Sequence, residues 1–195
     1  DMRMDQTQDL SAEEIVNKTS PRELFVILKK GGVGRDAKNI AQAIVANRPI
    51  QTTGQLARIA ENSASKKTRE KAVHPATVVF QAIRMEVNEE LSQIESLLEV
   101  IPRLISARGR ASIITFHSLE DKLVTSRMRH WEKPDTAPPG WKGDRSRDIA
   151  LGTLLTRKPI VAGEDELAAN PGARSARLRV FEFNGEQESV ERDVH

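Results

Sequence analysis

Arg110-Ala-Ser-Ile-Ile-Thr-Phe116, followed directly by His117-Ser-Leu-Glu-Asp121, is the stretch on which the fold class turns. The first seven residues are apolar and β-branched enough to read as a buried strand. The next five carry a helix start, with Ser118 as the N-cap, Asp121 at N3 and a helix to about Trp131. Glu120 reads as an exposed first-turn acid that complements the helix dipole. A strand delivering its carboxyl end into a polar helix start is the place where open α/β sheets collect ligands.

Upstream of Arg110 the pattern is helical. Ser11 with Glu14 marks one helix start, and Ser20-Pro21 with Glu23 marks a second that ends at Gly31-Gly32. Ala37, Ile40, Ala41, Ile44 and Val45 give a third helix an apolar face over about 35–47, closed by Arg48-Pro49. Thr53 caps a fourth helix, and residues 62–72 read as a polar, basic loop. His74-Pro75 opens a long helix over about 75–100. Downstream of Trp131, residues 132–148 hold Pro134, Pro138, Pro139, Gly140 and Gly143 and read as a loop. Leu154–Ile160 is a strand, Glu164–Ala169 a short helix and Arg177–Phe183 a last strand. The chain is thus helices first, then a short α/β segment.

Composition bounds the partners. Among 195 residues, 38% are hydrophobic, only 4% are aromatic and none is Tyr, so the core is aliphatic. Lys and Arg number 30 against 28 Asp and Glu, so net charge alone does not indicate nucleic acid. Distribution says more. Lys66, Lys67, Arg69 and Lys71 cluster, as do Arg103, Arg108 and Arg110, and Arg174, Arg177 and Arg179. Such clusters either follow a phosphate backbone or are solvated surface. The absence of Cys excludes disulfides and thiolate metal sites, and the four His have no metal-ligand spacing. No apolar run approaches the roughly 20 residues that span a bilayer, and no signal peptide is visible. A cytoplasmic protein is expected.

Four segments share one resemblance: Asp1-Met-Arg-Met-Asp5; His74-Pro-Ala-Thr-Val-Val-Phe-Gln-Ala-Ile-Arg84 with Val87-Asn-Glu-Glu-Leu91; Phe116-His-Ser-Leu-Glu-Asp121; and Asn170-Pro-Gly-Ala-Arg-Ser-Ala176. In this order and spacing the chain resembles, over about residues 1–183, the C-terminal portion of the small-subunit (16S) rRNA cytosine-N4 methyltransferases. The resemblance implies an α/β fold: an incomplete class I, Rossmann-like methyltransferase sheet with an all-helical inserted substrate-recognition domain. Residues 1–73 would be that insert, and residues 74–195 the C-terminal part of the methyltransferase domain. Arg110–Phe116, Leu154–Ile160 and Arg177–Phe183 would be its fifth, sixth and seventh strands.

The same resemblance implies S-adenosylmethionine as methyl donor and small-subunit rRNA, or the assembling small subunit, as substrate. The family's glycine loop and ribose-binding acid would lie upstream of Asp1, so the cofactor pocket is expected to be incomplete here. Gly31-Gly32-Val33-Gly34 follows a helix, not a strand, and reads as a helix terminus. A second copy or chain completing the sheet is a further expectation, and a non-catalytic RNA-binding fragment is the alternative function.

Methyl transfer to an exocyclic amine needs alignment and acceptors for the amine's protons. His117 and Asp121 are the candidate catalytic acceptors or orienters. Ser118 contacts substrate or merely caps the helix. Asn170, Arg174 and Ser175 grip the nucleotide or a phosphate, or form a turn that pins the last strand. Gln81 and Arg84 share a helix face, and Arg84 meets RNA, the cofactor's carboxylate end, or a structural acid. Asp1, Arg3 and Asp5 are expected to brace residues upstream. Ala137-Pro-Pro-Gly-Trp141 lacks the leading acid of amino-methyltransferase motifs. Trp131 and Trp141, flanked by Lys133, Lys142, Arg145 and Arg147, either stack on bases or cover the core.

Overall fold

The structure is a computed structural model and describes residues 1–70, 72–134 and 149–185. The chain divides into two compact units, Asp1–Glu90 and Leu91–His195.

The first unit is helical: α1 (Ala12–Lys18), α2 (Pro21–Lys30), α3 (Ala37–Ala46), α4 (Thr53–Ser63), α5 (Lys66–Arg69) and α6 (Pro75–Val87). Each long helix has one buried stripe at helical spacing. Ala37, Ile40, Ala41 and Ile44 supply it on α3, and Val79, Ala82, Ile83 and Val87 on α6. With Ile15, Leu24 and Leu28 these form one aliphatic core. Caps set the helix starts. Ser20 Oγ accepts from Glu23 N while Glu23 returns a carboxylate oxygen to Ser20 N. Thr52, one residue earlier than expected, does the same with Gln55. Residues 62–72, expected as loop, hold the end of α4 and the single turn α5.

The expected helix over 75–100 is two helices. α6 ends at Val87 and α7 (Glu90–Leu104) begins after Glu89, whose φ is 50°. The break has a tertiary cause. Asn88 Oδ1 accepts from Met4 N at 2.8 Å, and Asn88 Nδ2 donates to Met2 O at 2.9 Å. Asp1, Arg3 and Asp5, expected to brace upstream residues, also have partners within this chain. Arg3 pairs with Asp1 at 2.7 Å and donates to Gln8 O, and Asp5 accepts from Thr7.

The second unit contains a mixed α/β arrangement with one small antiparallel sheet. Its strands are β1 (Arg110–Thr115), β2 (Gly152–Leu154) and β3 (Arg177–Phe183), in the order β1-β3-β2. The strand expected over Leu154–Ile160 is shorter and starts earlier. Ile160 adds only an isolated bridge to Leu178. α8 (Ser118–Glu132) and α9 (Glu164–Ala169) complete the unit. Leu98, Val124, Met128, Phe181 and Phe183 form its core together with Trp131, so this core is partly aromatic and not the wholly aliphatic one expected. Trp131 packs edge-on to Phe181 at 5.3 Å and stands 5.6 Å from Phe183, so it covers the core and is withdrawn from base stacking.

Candidate functional site

The turn from β1 into α8 is built by His117, not by Ser118. His117 has extended backbone, and its Nδ1 accepts from Glu120 N at 3.3 Å. Glu120 Oε2 accepts in return from Phe116 N at 2.7 Å and His117 N at 3.1 Å. This is a capping box with an imidazole in the place of a hydroxyl, one residue earlier than expected. Because Nδ1 accepts, a neutral ring carries its proton on Nε2, which lies 3.3 Å from Glu120 Oε1. Glu120 is therefore a largely covered partner of His117 and not a solvated first-turn acid. Its signal was in the sequence: His117-x-x-Glu120 has the spacing of Ser-x-x-Glu. Ser118 is exposed in the first helical turn.

Asp121, one residue beyond N3, faces the sheet. Its two carboxylate oxygens accept from Arg179 Nε at 2.7 Å and Nη2 at 2.9 Å, and Arg177 Nη1 adds a contact at 3.4 Å. Asp121 is 8% and Arg179 5% exposed. Hydrogen bonding to Arg179, then its charge and that of Arg177, hold the Asp121 carboxyl below the usual carboxylate range against the opposing effect of burial. Arg179 Nη1 also donates to Thr156 O, and Thr156 Oγ1 accepts from Val180 N. Arg179, grouped in sequence with a surface cluster, is thus a buried tie between β3, α8 and the segment after β2.

The sheet register brings two distant segments to one end. Thr115, the last residue of β1, pairs with Arg177, the first of β3. Phe116-His117 therefore leaves the sheet at the end where Asn170–Ala176 enters it. Pro171–Ser175 is a 3₁₀ turn with Arg174 and Ser175 exposed. Asn170 ends α9, and its Nδ2 donates to Glu166 Oε1 at 3.3 Å. Gln81 and Arg84 belong to the helical unit. Arg84 makes a two-bonded ion pair with Glu90, at 2.7 and 2.9 Å, and Gln81 Nε2 contacts Met85 Sδ at 3.8 Å. Residues 137–141, with Lys142, Arg145 and Arg147, lie outside the described residues.

The glycine-rich segment is a packing feature. Gly31 caps α2, and a Cβ there would stand 2.1 Å from Ala82 Cβ on α6. Among the described residues, no glycine-rich loop joins a strand to a helix. No helix of the described residues is long and apolar enough to cross a membrane.

Comparison with known proteins places these features in a family. The profile of the MraW methylase family matches residues 1–184. A "Ribosomal RNA small subunit methyltransferase H" of Nitratiruptor sp. is 48% identical over 184 residues, covering 94% of this chain and 60% of that protein. Proteins of the same name from Lachnospira eligens and Sulfurimonas denitrificans are 44% and 42% identical, covering 93% and 94% of this chain and 59% of each relative. The chain thus spans about three-fifths of the length of the curated relatives it matches. The profile match takes in both the helical unit and the β1–His117–α8 junction, and the chain belongs to the MraW methylase family.

Proposed function

We propose that the protein carrying this chain transfers a methyl group from S-adenosylmethionine to N4 of a cytosine in small-subunit (16S) rRNA, in the cytoplasm. Family membership and the names of the relatives support the reaction class and the substrate. The observation that carries the site assignment is the convergence of Phe116-His117 and Asn170–Ser175 at one end of the sheet, through the Thr115–Arg177 pairing.

In this reading residues 74–195 are the C-terminal part of a Rossmann-like methyltransferase domain, and the helical residues 1–73 recognise substrate. His117, oriented by Glu120, faces the target base. Asp121 acts through Arg179 as a positioning residue that fixes α8 on the sheet. Ser118, Asn170, Arg174 and Ser175 offer exposed polar groups to the nucleotide. Gln81 and Arg84 serve the helical side. S-adenosylmethionine is not matched by a glycine loop after a strand among the described residues, so no step of methyl transfer is derived from them. For these 195 residues by themselves, the alternative reading is RNA binding without methyl transfer.

A further strand, from another segment or another copy, completes the sheet beside β1. Among the described residues no strand pairs with its outer edge, and an open edge is a pairing hazard.

The test of the reaction is nucleoside mass spectrometry of small subunits treated with S-adenosylmethionine and the protein carrying this chain. N4-methylcytidine is the expected product. Methylation at a ring carbon or on another base overturns the reading.

A further inference from the structure

We infer that the outward face of α8 is a track for an RNA phosphodiester backbone. Lys122, Ser126 and Arg129 recur at intervals of four and three residues and form one stripe along the helix, and Lys133, the C-cap with non-helical backbone, stands just past its end. At 1.5 Å per residue the run from Lys122 to the cap is about 16 Å long, enough to follow several phosphates of one strand. All four residues are exposed, and they line a cavity of about 920 Å³ on the second unit.

The charge of this surface is unbalanced in a specific way. Its two carboxylates are already neutralised: Asp121 by Arg179 and Arg177, and Glu132 by Arg157 at 3.1 Å. Arg127 faces Glu99 at 3.8 Å. Lys122, Arg129 and Lys133 have no ion-pair partner among the described residues. The helix dipole accounts for Arg129 and Lys133 near the carboxyl end, but Lys122 lies in the half of α8 nearer its positive end and gains nothing from it. Thr125, 6% exposed, also lines the cavity, and its hydroxyl has no hydrogen-bond partner among the described residues. Three cations and a serine hydroxyl, along α8 and at its C-cap, match a run of phosphate oxygens, which carry charge without sequence.

This rests on the reading that the protein acts on RNA, and it adds a surface on the α8 side of the sheet. The test is fluorescence anisotropy of a short labelled single-stranded RNA with the chain over a salt series. Each phosphate contact contributes a slope of about −0.7 in log affinity against log salt. The triple variant Lys122→Ala, Arg129→Ala, Lys133→Ala therefore lowers the slope by about 2. The charge-preserving triple Lys122→Arg, Arg129→Lys, Lys133→Arg keeps it. An unchanged slope in the alanine variant overturns the track, as does an equal loss in the charge-preserving variant. If the unmodified chain binds no RNA, the track is overturned. The methylation reading is decided separately by the nucleoside product.

Discussion

Asp121 and Arg179, 58 positions apart in the chain, join through two hydrogen bonds of 2.7 and 2.9 Å with both side chains withdrawn from solvent. A planar guanidinium matches a carboxylate in this geometry, and Lys would not. The pair fastens the first turns of α8 to the middle of β3, and so fixes where His117 stands relative to the end of the sheet.

Removing one partner leaves the other charged and buried. Asp121→Ala is expected to destabilise the second unit by about 3–5 kcal/mol, seen as a lower urea midpoint with little change in slope. A loss below about 1 kcal/mol, the size of an exposed pair, would show that the pair opens to water.

The same pair sets an acid dependence. The folded Asp121 carboxyl lies below its ordinary value, chiefly through Arg179. The unfolded chain therefore binds more protons in acid, and the stability from this group, present above about pH 4, is lost as pH falls through the folded value. Urea unfolding of Asp121→Asn at a series of acidic pH values should show a shallower decline than the parent chain.

His117 has a structural and a proposed chemical task, which substitution separates. His117→Ala loses the cap and about 1 kcal/mol. His117→Ser restores a hydroxyl acceptor for Glu120 N and with it most of that stability. Methylation by the protein carrying this chain should fall in both. Full activity in His117→Ser would reduce the imidazole to a cap.

Gly31 and Gly34 respond to alanine for different reasons. At Gly31 the added Cβ meets Ala82 Cβ at 2.1 Å and Cα at 2.4 Å, so α2 and α6 must separate, at a cost of about 1–3 kcal/mol. At Gly34 there is open space but φ is +76°, so the cost is backbone strain of about 1 kcal/mol. Gly34→Asn should recover part of it while Gly31→Asn should not, as read by thermal melting.

Ile114 and Phe116 are 58% and 57% exposed on β1 and its continuation. With no strand on the outer edge of β1 among the described residues, this chain is expected to self-associate, and Ile114→Lys to suppress this in sedimentation velocity. A monomeric parent chain would remove the case for a completing strand from a second copy.

Local chemistry made much of this protein legible in its sequence. α9 at Glu164–Ala169 and β3 at Arg177–Phe183 fall at the bounds expected, and Ser11, Ser20 and His74-Pro75 start the helices they were expected to start. A cap, a proline or an apolar stripe acts over three or four residues, and such signals survive any tertiary context. Two caps are exceptions: that of α4 falls at Thr52 and not Thr53, and that of α8 at His117 and not Ser118. At α8 both residues offer an acceptor at a helix start, and only the reciprocal bonds of Glu120 decide between them.

What lay beyond local chemistry was decided by partners distant in the chain. Asn88 divides α6 from α7 because Met2 and Met4, more than eighty positions away, take both ends of its amide. β2 stops at Leu154 although β3 runs on to Arg177, and there the side chains of Thr156 and Arg179 make the ties, Thr156 Oγ1 accepting from Val180 N and Thr156 O from Arg179. Arg179 became a buried tie and Trp131 a core residue once β3 had paired with β1 and α8 had closed over them. Sequence alone determined where most of the helices and the strands β1 and β3 lie and to which family the chain is similar. The meeting of His117 with the approach to β3, and of Asp121 with Arg179, came only from the antiparallel register of the sheet. That register aligns residues by hydrogen bonds between strands, and no spacing along one strand encodes it.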